Sequence, residues 1–279
     1  MEFRTIVDVE DPGFRIEPCE EMLFVGSCFA DNIGARFKEE KFRATVNPFG
    51  VMYNPASILH TVERLSLAEP SILGSLRTAF FTLGTNHIYR LKETGEIVDN
   101  CQKRPQSLFT EEELTVDECA NYLQKAIDIL RAANPDIHVV LTVSPIRYRK
   151  YGYHGSQLSK STLLLAVNKV IEMFNVSCLM FHVTYFPAYE IINDELRDYR
   201  FYAEDMLHPS SQAVEYIWQR LSEVYLSDAA KLFLQEWQPL KAALNHKPFN
   251  PESQEYRIFM DKTMLKIAEL QKKYPNFAL

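Results

Sequence analysis

Two short stretches of this chain hold side chains that could act together on a substrate. The first is Gly26-Ser27-Cys28-Phe29-Ala30, where a hydroxyl and a thiol stand side by side just after an apolar run. The second is Asp205-Met206-Leu207-His208, directly before Pro209. A serine hydroxyl is a weak nucleophile until a base takes its proton, and a histidine base needs a carboxylate to fix its tautomer and hold the imidazolium. An aspartate three residues before a histidine, in a tight turn, can reach that histidine's own ring. The two stretches together predict acyl transfer, with Ser27 as nucleophile, His208 as base and Asp205 as orienter. Each half has a plainer alternative. A serine after a buried strand also serves as a helix cap, and a loop histidine beside an acid is an ordinary surface pair.

Cys28 is the rival nucleophile, since thiolates attack better than hydroxyls. If Ser27 faces a pocket, the next residue round the turn should point into packing, so Cys28 is expected to be buried and inert. A third stretch, residues 144–159, carries Arg147, His154 and Gln157 among rings and further polar groups. It follows an apolar run, so it should lie over the same strand ends as Ser27, where Arg147, His154 and Gln157 could grip a substrate. A solvated basic loop is the alternative.

Residues 22–25, 79–83, 137–143 and 176–181 are largely apolar without alternation, as strands covered on both faces are. Helical patterns separate them: residues 54–67 behind an Asn54 cap and Pro55, then 115–133, 159–174 and 210–226. This alternation predicts an α/β fold, a three-layer, doubly wound, mostly parallel sheet of flavodoxin-like type. Ser27 then falls at the carboxyl end of a strand, where such sheets place their ligands. Residues 87–100, with Thr94-Gly95 as a turn, break the rhythm and predict a β-hairpin excursion. After Leu226 only helical patterns remain, at 228–244 and 251–273. The expected division is therefore a hydrolase domain at 1–226 and a C-terminal helical extension at 227–279. Phe259, Met260, Met264 and Ile267 share one side of the last helix and should dock on the domain as a lid or on a second chain as a homodimer contact.

The chain's 279 residues, 47% of them hydrophobic, suffice for a substantial core. A net charge of -7 speaks against nucleic acid or an anionic membrane as partner and for a small or neutral substrate. No run approaches the roughly 18 apolar residues of a membrane span. The first residues have no signal-peptide pattern, and five scattered cysteines fit a reducing compartment, so a cytoplasmic protein is expected.

Residues 26–30 spell the motif of the GSCFA family, which the chain resembles. The likeness extends through Asn47-Pro48-Phe49-Gly50, Tyr53-Asn54-Pro55, Leu83-Gly84-Thr85, the stretch from His154 to Lys160, and residues 205–210. That family is similar to the SGNH (GDSL-like) hydrolases, named for sequence blocks holding Ser, Gly, Asn and His. The resemblance implies a serine esterase with Ser27 and His208 in the first and last blocks. It also implies Gly50 as an oxyanion-hole glycine beside the Ser27 N–H. Gly84-Thr85-Asn86 has the Gly-x-Asn spacing of the third block, which would add the Asn86 amide to the oxyanion hole; the alternative for Asn86 is a polar residue opening the hairpin. Such chemistry needs no metal and no organic cofactor. Small acyl esters, acetylated carbohydrates among them, are the implied substrates. An O-acyltransferase with the same triad and a non-catalytic ligand-binding module remain alternatives.

Overall fold

The computed structural model describes residues 3–101, 104–177 and 183–277. Its main sheet holds five parallel strands: β1 (Glu21–Gly26), β2 (Arg43–Val46), β3 (Thr78–Leu83), and two that follow a second, smaller sheet. That smaller sheet is antiparallel and consists of β4 (His87–Leu91), β5 (Ile97–Val98) and β6 (Phe109–Glu113), in the order β5-β4-β6. The main sheet resumes with β7 (His138–Val143) and β8 (Val183–Tyr185), and its order is β2-β1-β3-β7-β8. The winding direction reverses between β1 and β3, the kind of point at which open α/β sheets form a ligand crevice.

Side-chain alternation sorts the strands between two cores. Leu23, Val25, Ala79, Phe81, Val139 and Leu141 face one layer, built by α2 (Pro55–Ala68), α3 (Pro70–Ser75), α4 (Val116–Ala133) and α5 (Gly152–Ser177). Met22, Phe24, Phe80 and Val140 face the other, which holds α1 (Cys28–Glu39), the short α6 (Ala188–Glu190) and α7 (Ser211–Tyr225). Because both faces are covered, apolar side chains line both faces of the central strands, as the sequence pattern required, with Thr78, Thr82 and Thr142 buried among them. The three-layer, doubly wound α/β fold is therefore as expected. Asn54 caps α2, accepting from the Ser57 N–H, and Thr115 and Glu118 form a capping box on α4.

Several elements differ from expectation. Strand β2 has no apolar run to betray it, being a four-residue edge strand with only Ala44 buried. The hairpin at 87–100 gains a third strand, β6, paired along β4. The strand expected at 176–181 begins on helix, since α5 runs to Ser177, and otherwise lies outside the described residues, as does Cys178. The observed strand is the later β8.

The C-terminal helices α8 (Asp228–Leu244) and α9 (Gln254–Lys273) join the second core, with Phe233, Trp237, Leu240, Ile267, Leu270 and Phe277 buried in it. Trp237 Nε1 donates to the Glu39 carbonyl at 3.2 Å, and Lys241 Nζ reaches the buried Glu40 carboxylate at 2.9 Å. These contacts lie at the far end of α1 from Cys28, about 18 Å away at 1.5 Å per residue. The extension therefore docks away from Ser27, which removes the lid reading. The expected apolar stripe is also displaced: Thr263, Ile267 and Leu270 point inward, while Phe259 and Met264 stay exposed.

Candidate active site

A pocket of about 280 Å³ opens over the carboxyl ends of β1, β3 and β7, lined by Ser27, Cys28, Tyr53, Gly84, Ser144 and His208 among others. Its floor begins at Gly26. The backbone there has φ of +144°, and an added Cβ would lie 2.1 Å from the Thr82 carbonyl oxygen, so only glycine lets β1 pass so close to β3. The Gly26 N–H donates to Asn47 Oδ1 at 2.9 Å, and Asn47 Nδ2 donates to Asp31 at 2.6 Å. Asn47 thus holds the turn from below.

Ser27 caps α1, its Oγ accepting from the Phe29 N–H at 3.3 Å. The same hydroxyl donates to Ser144 Oγ at 2.9 Å and lies 3.3 Å from Thr82 Oγ1. It is 2% exposed, and a hydroxyl's one donor and two acceptor positions are all used. Cys28, expected in the packing, is instead partly exposed and lines the pocket, with its Sγ 3.9 Å from the Tyr53 hydroxyl. The reason is the helical turn: once Ser27 bends down to cap α1, the following side chain swings up to the pocket wall.

On the opposite wall His208 Nδ1 meets Asp205 Oδ2 at 2.5 Å. Asp205 Oδ1 also accepts the N–H groups of Leu207 and His208, at 2.9 and 3.0 Å. Those two amides, followed by the His208 ring, hold the Asp205 carboxyl down to about 2. Both side chains are partly open to solvent. Ser27, Cys28 and His208 share one pocket, yet the hydrogen bonds of Ser27 Oγ run to Ser144, Thr82 and Phe29 and not to the His208 ring.

The expected oxyanion donors are employed elsewhere. The Ser27 N–H donates to the Thr82 carbonyl at 3.1 Å, continuing the sheet. The Gly50 N–H closes a turn onto the Asn47 carbonyl at 2.8 Å, a turn made with φ of +95°, and Gly50 does not line the pocket. Asn86 Nδ2 donates to the Leu114 carbonyl at 2.8 Å, stitching the start of β4 to the segment before α4, and it too is outside the pocket. At the turn itself the amide left for an oxyanion is that of Cys28, whose position at the start of α1 gives it no partner within the helix.

Of the three expected substrate-binding residues, Arg147 lines the pocket. Gln157 belongs to a neighbouring cleft that Arg147 also lines. His154 is exposed in the first turn of α5 and lines neither. The loop before α5 is braced from the hairpin sheet: the His87 ring stacks on Tyr151 at 3.6 Å, and Glu111 takes Tyr151 Oη at 2.5 Å and Lys150 Nζ at 2.9 Å.

Lys160 is a residue whose part in the site the spacing of residues did not announce. It is 2% exposed, and its Nζ donates at 2.8 Å to the carbonyls of both Gly84 and Ser144, tying the ends of β3 and β7 together beneath the pocket. Burial pushes its ammonium down to about 7. Ser159 beside it bonds Thr85 Oγ1 and the Asn86 N–H. The sequence signal for Lys160 was its place at the end of the family-like stretch from His154 to Lys160. Among the described residues no group of three His, Cys, Asp or Glu side chains gathers as metal ligands, and no helix is long and apolar enough to cross a membrane.

The model of the GSCFA family matches residues 21–72 and 68–221, and that of the GSCFA domain protein, C-terminal domain, matches 237–279. No curated protein matches the chain. Among solved structures the chain is similar to a carbohydrate esterase family 3 from Talaromyces cellulolyticus, at 10% identity and a TM-score of 0.45, covering 77% of this chain and 99% of that one. An acetyl esterase variant with acetate ion gives 11% identity, a TM-score of 0.44, and 81% and 100% coverage. A family two carbohydrate esterase from Clostridium thermocellum gives 13%, 0.44, and 75% and 64%.

Proposed function

This chain belongs to the GSCFA family, and we propose that it hydrolyses small acyl esters through an acyl-enzyme formed on the Gly26-Ser27-Cys28 turn. The observation that carries this reading is the convergence on one pocket of that turn and a histidine already bonded to its carboxylate. In the proposed reaction His208 takes the nucleophile's proton as the nucleophile adds to the ester carbonyl, and Asp205 fixes the ring and stabilises the imidazolium. The tetrahedral oxyanion lies toward the first turn of α1 and the Cys28 N–H. Its collapse expels the alcohol, which receives the proton from His208. Water, deprotonated by the same histidine, then releases the carboxylic acid and restores the nucleophile.

The sequence points to Ser27 as the attacking group. In that role its hydroxyl must leave Ser144 and turn toward His208. A second reading, attack by Cys28 Sγ, is favoured by a specific observation: the thiol lines the pocket with a single weak contact, whereas the hydroxyl is buried with every hydrogen-bonding position filled. Both readings use His208 and Asp205 in the same way. Cleavage of short-chain aryl esters by the full chain, followed by mass spectrometry of the trapped acyl-enzyme, tests them together. An acyl group on Ser27, with activity lost in Ser27→Ala, establishes the first. An acyl group on Cys28, with activity lost in Cys28→Ala, establishes the second. Ester cleavage that survives His208→Ala would reject the proposed reaction in either form.

A further inference from the structure

Beside the pocket, and sharing Arg147 with it, lies a second cleft of about 530 Å³. We infer that this cleft binds the sugar portion of an ester-bearing neutral oligosaccharide and leads its acyl group to the neighbouring pocket. The inference rests on the hydrolase reading for the second half of that statement; the binding half stands on the cleft itself.

The wall chemistry selects this ligand class. Three tyrosines, Tyr189, Tyr199 and Tyr202, contribute rings. Tyr199 is 68% exposed, so a large flat face is offered to water beside the half-buried Tyr202. Such a face suits the C–H face of a pyranose, an apolar surface edged by hydroxyls. Between the rings stand planar polar groups with unused capacity. Gln157 accepts from the Tyr189 hydroxyl at 2.5 Å, which leaves its amide N–H groups to donate. Asn193 donates to the Tyr189 carbonyl at 2.7 Å, which leaves its own oxygen to accept. Vicinal hydroxyls, each both donor and acceptor, match that mixture.

Charge argues against the competing ligands. Arg147 and Arg197 are offset in the lining by Asp194 and Asp198, so a phosphorylated or carboxylated ligand would meet acids as well as bases, on a chain whose net charge is already -7. A long acyl chain would bury polar groups without partners. Asn193 and Asp194 sit on the π-helical turn Ile191–Glu195, and such local swellings of a helix are frequent at functional sites.

The cleft is mechanically joined to the catalytic loop. Tyr202 pairs with Pro209, and the Ala203 N–H donates to the His208 carbonyl at 2.8 Å. Arg147 donates from its backbone N–H to the Leu207 carbonyl and from its guanidinium to that of Met206, at 3.0 and 3.2 Å, with the guanidinium 5.4 Å from the Tyr202 ring centre. A sugar stacked on Tyr199 and Tyr202 would therefore present its next hydroxyl, or an ester on it, past Arg147 toward His208.

Calorimetric titration of the full chain with xylohexaose and with mannohexaose, both free of esters, tests binding without any catalysis. Saturable binding of either is expected, weakened about tenfold or more in Tyr199→Ala and retained in Tyr199→Phe, which keeps the ring. Absence of saturable binding by both sugars, or binding indifferent to Tyr199→Ala, overturns the inference. A parallel assay on an aryl acetate separates the two ideas. Ester cleavage without sugar binding rejects the cleft and leaves the hydrolase, whereas sugar binding without ester cleavage leaves the cleft and rejects the hydrolase.

Discussion

The two walls of the pocket are built in opposite ways. The His208 wall is local: Asp205 reaches the ring and two backbone N–H groups within a span of three residues, and the pair stands partly in solvent. The Ser27 wall is long-range and dry. Ser27 bonds Thr82 and Ser144, residues 55 and 117 positions away, and Lys160 joins the Ser144 carbonyl to that of Gly84, 76 positions from it. A proton carrier can be assembled from a tight turn, because its partner needs only to be near. Strand ends in register with one another need a buried cross-tie, because nothing local aligns them.

The largest test of this contrast is His208→Ala. It should lower kcat on a short aryl ester on the order of ten-thousandfold or more, with circular dichroism unchanged, since the ring packs into no core. Activity within tenfold of wild type would mean that the local wall does no chemistry.

Next comes Lys160→Met, which removes the cross-tie while keeping the volume. Displacing Gly84 and Ser144 should slow turnover about a hundredfold, measured as kcat with the fold monitored by thermal melting. The same variant carries a pH signature. The folded ammonium near 7 lies below an exposed lysine near 10.4, so between about pH 7 and 10 the unfolded chain binds more protons and Lys160 makes stability rise with pH. Wild type should therefore gain stability relative to Lys160→Met across that window. A constant difference between the two would show that Lys160 titrates normally.

A smaller effect is expected from Glu111→Gln, which takes the charge from Lys150 and loosens the loop braced by the hairpin sheet. KM should rise several-fold with kcat nearly intact; an equal fall in kcat would place the hairpin sheet in the chemistry itself. The smallest is Asn86→Ala. Loss of an oxyanion donor costs on the order of a hundredfold, but an amide bonded to the Leu114 carbonyl should change kcat by less than about threefold and stability by about 1–2 kcal/mol. A loss of the larger size would show that Asn86 turns into the pocket during turnover.

The local wall was legible in the amino-acid order because three-residue spacing fixes what can touch. The fold was legible for a related reason: runs such as 79–83 and 137–143 and the helical periods between them record burial directly in residue type. The edge strand β2 was not, since it lies at the sheet margin and carries little apolar signal. That the Gly50 N–H and the Asn86 amide are bonded away from the pocket was not legible, because a motif records which residues are present and not where their hydrogen bonds go. In the fold the Gly50 N–H closes its own turn and the Asn86 amide serves the neighbouring segment.

The sequence by itself determined the α/β alternation, the Gly26-Ser27-Cys28 turn after β1, and the pairing of Asp205 with His208. Only the tertiary structure decided that Ser27 Oγ is held by the Phe29 N–H, Thr82 and Ser144 while Cys28 lines the same pocket with one weak contact, that Lys160 ties two strand ends beneath them, and that the C-terminal helices dock on the far end of α1. The physical reason is range. Periodicity and short spacings report contacts made within a turn or two of chain. The direction of a side chain at a strand end is set by hydrogen-bond partners that reach it only when distant segments are brought together by the two cores.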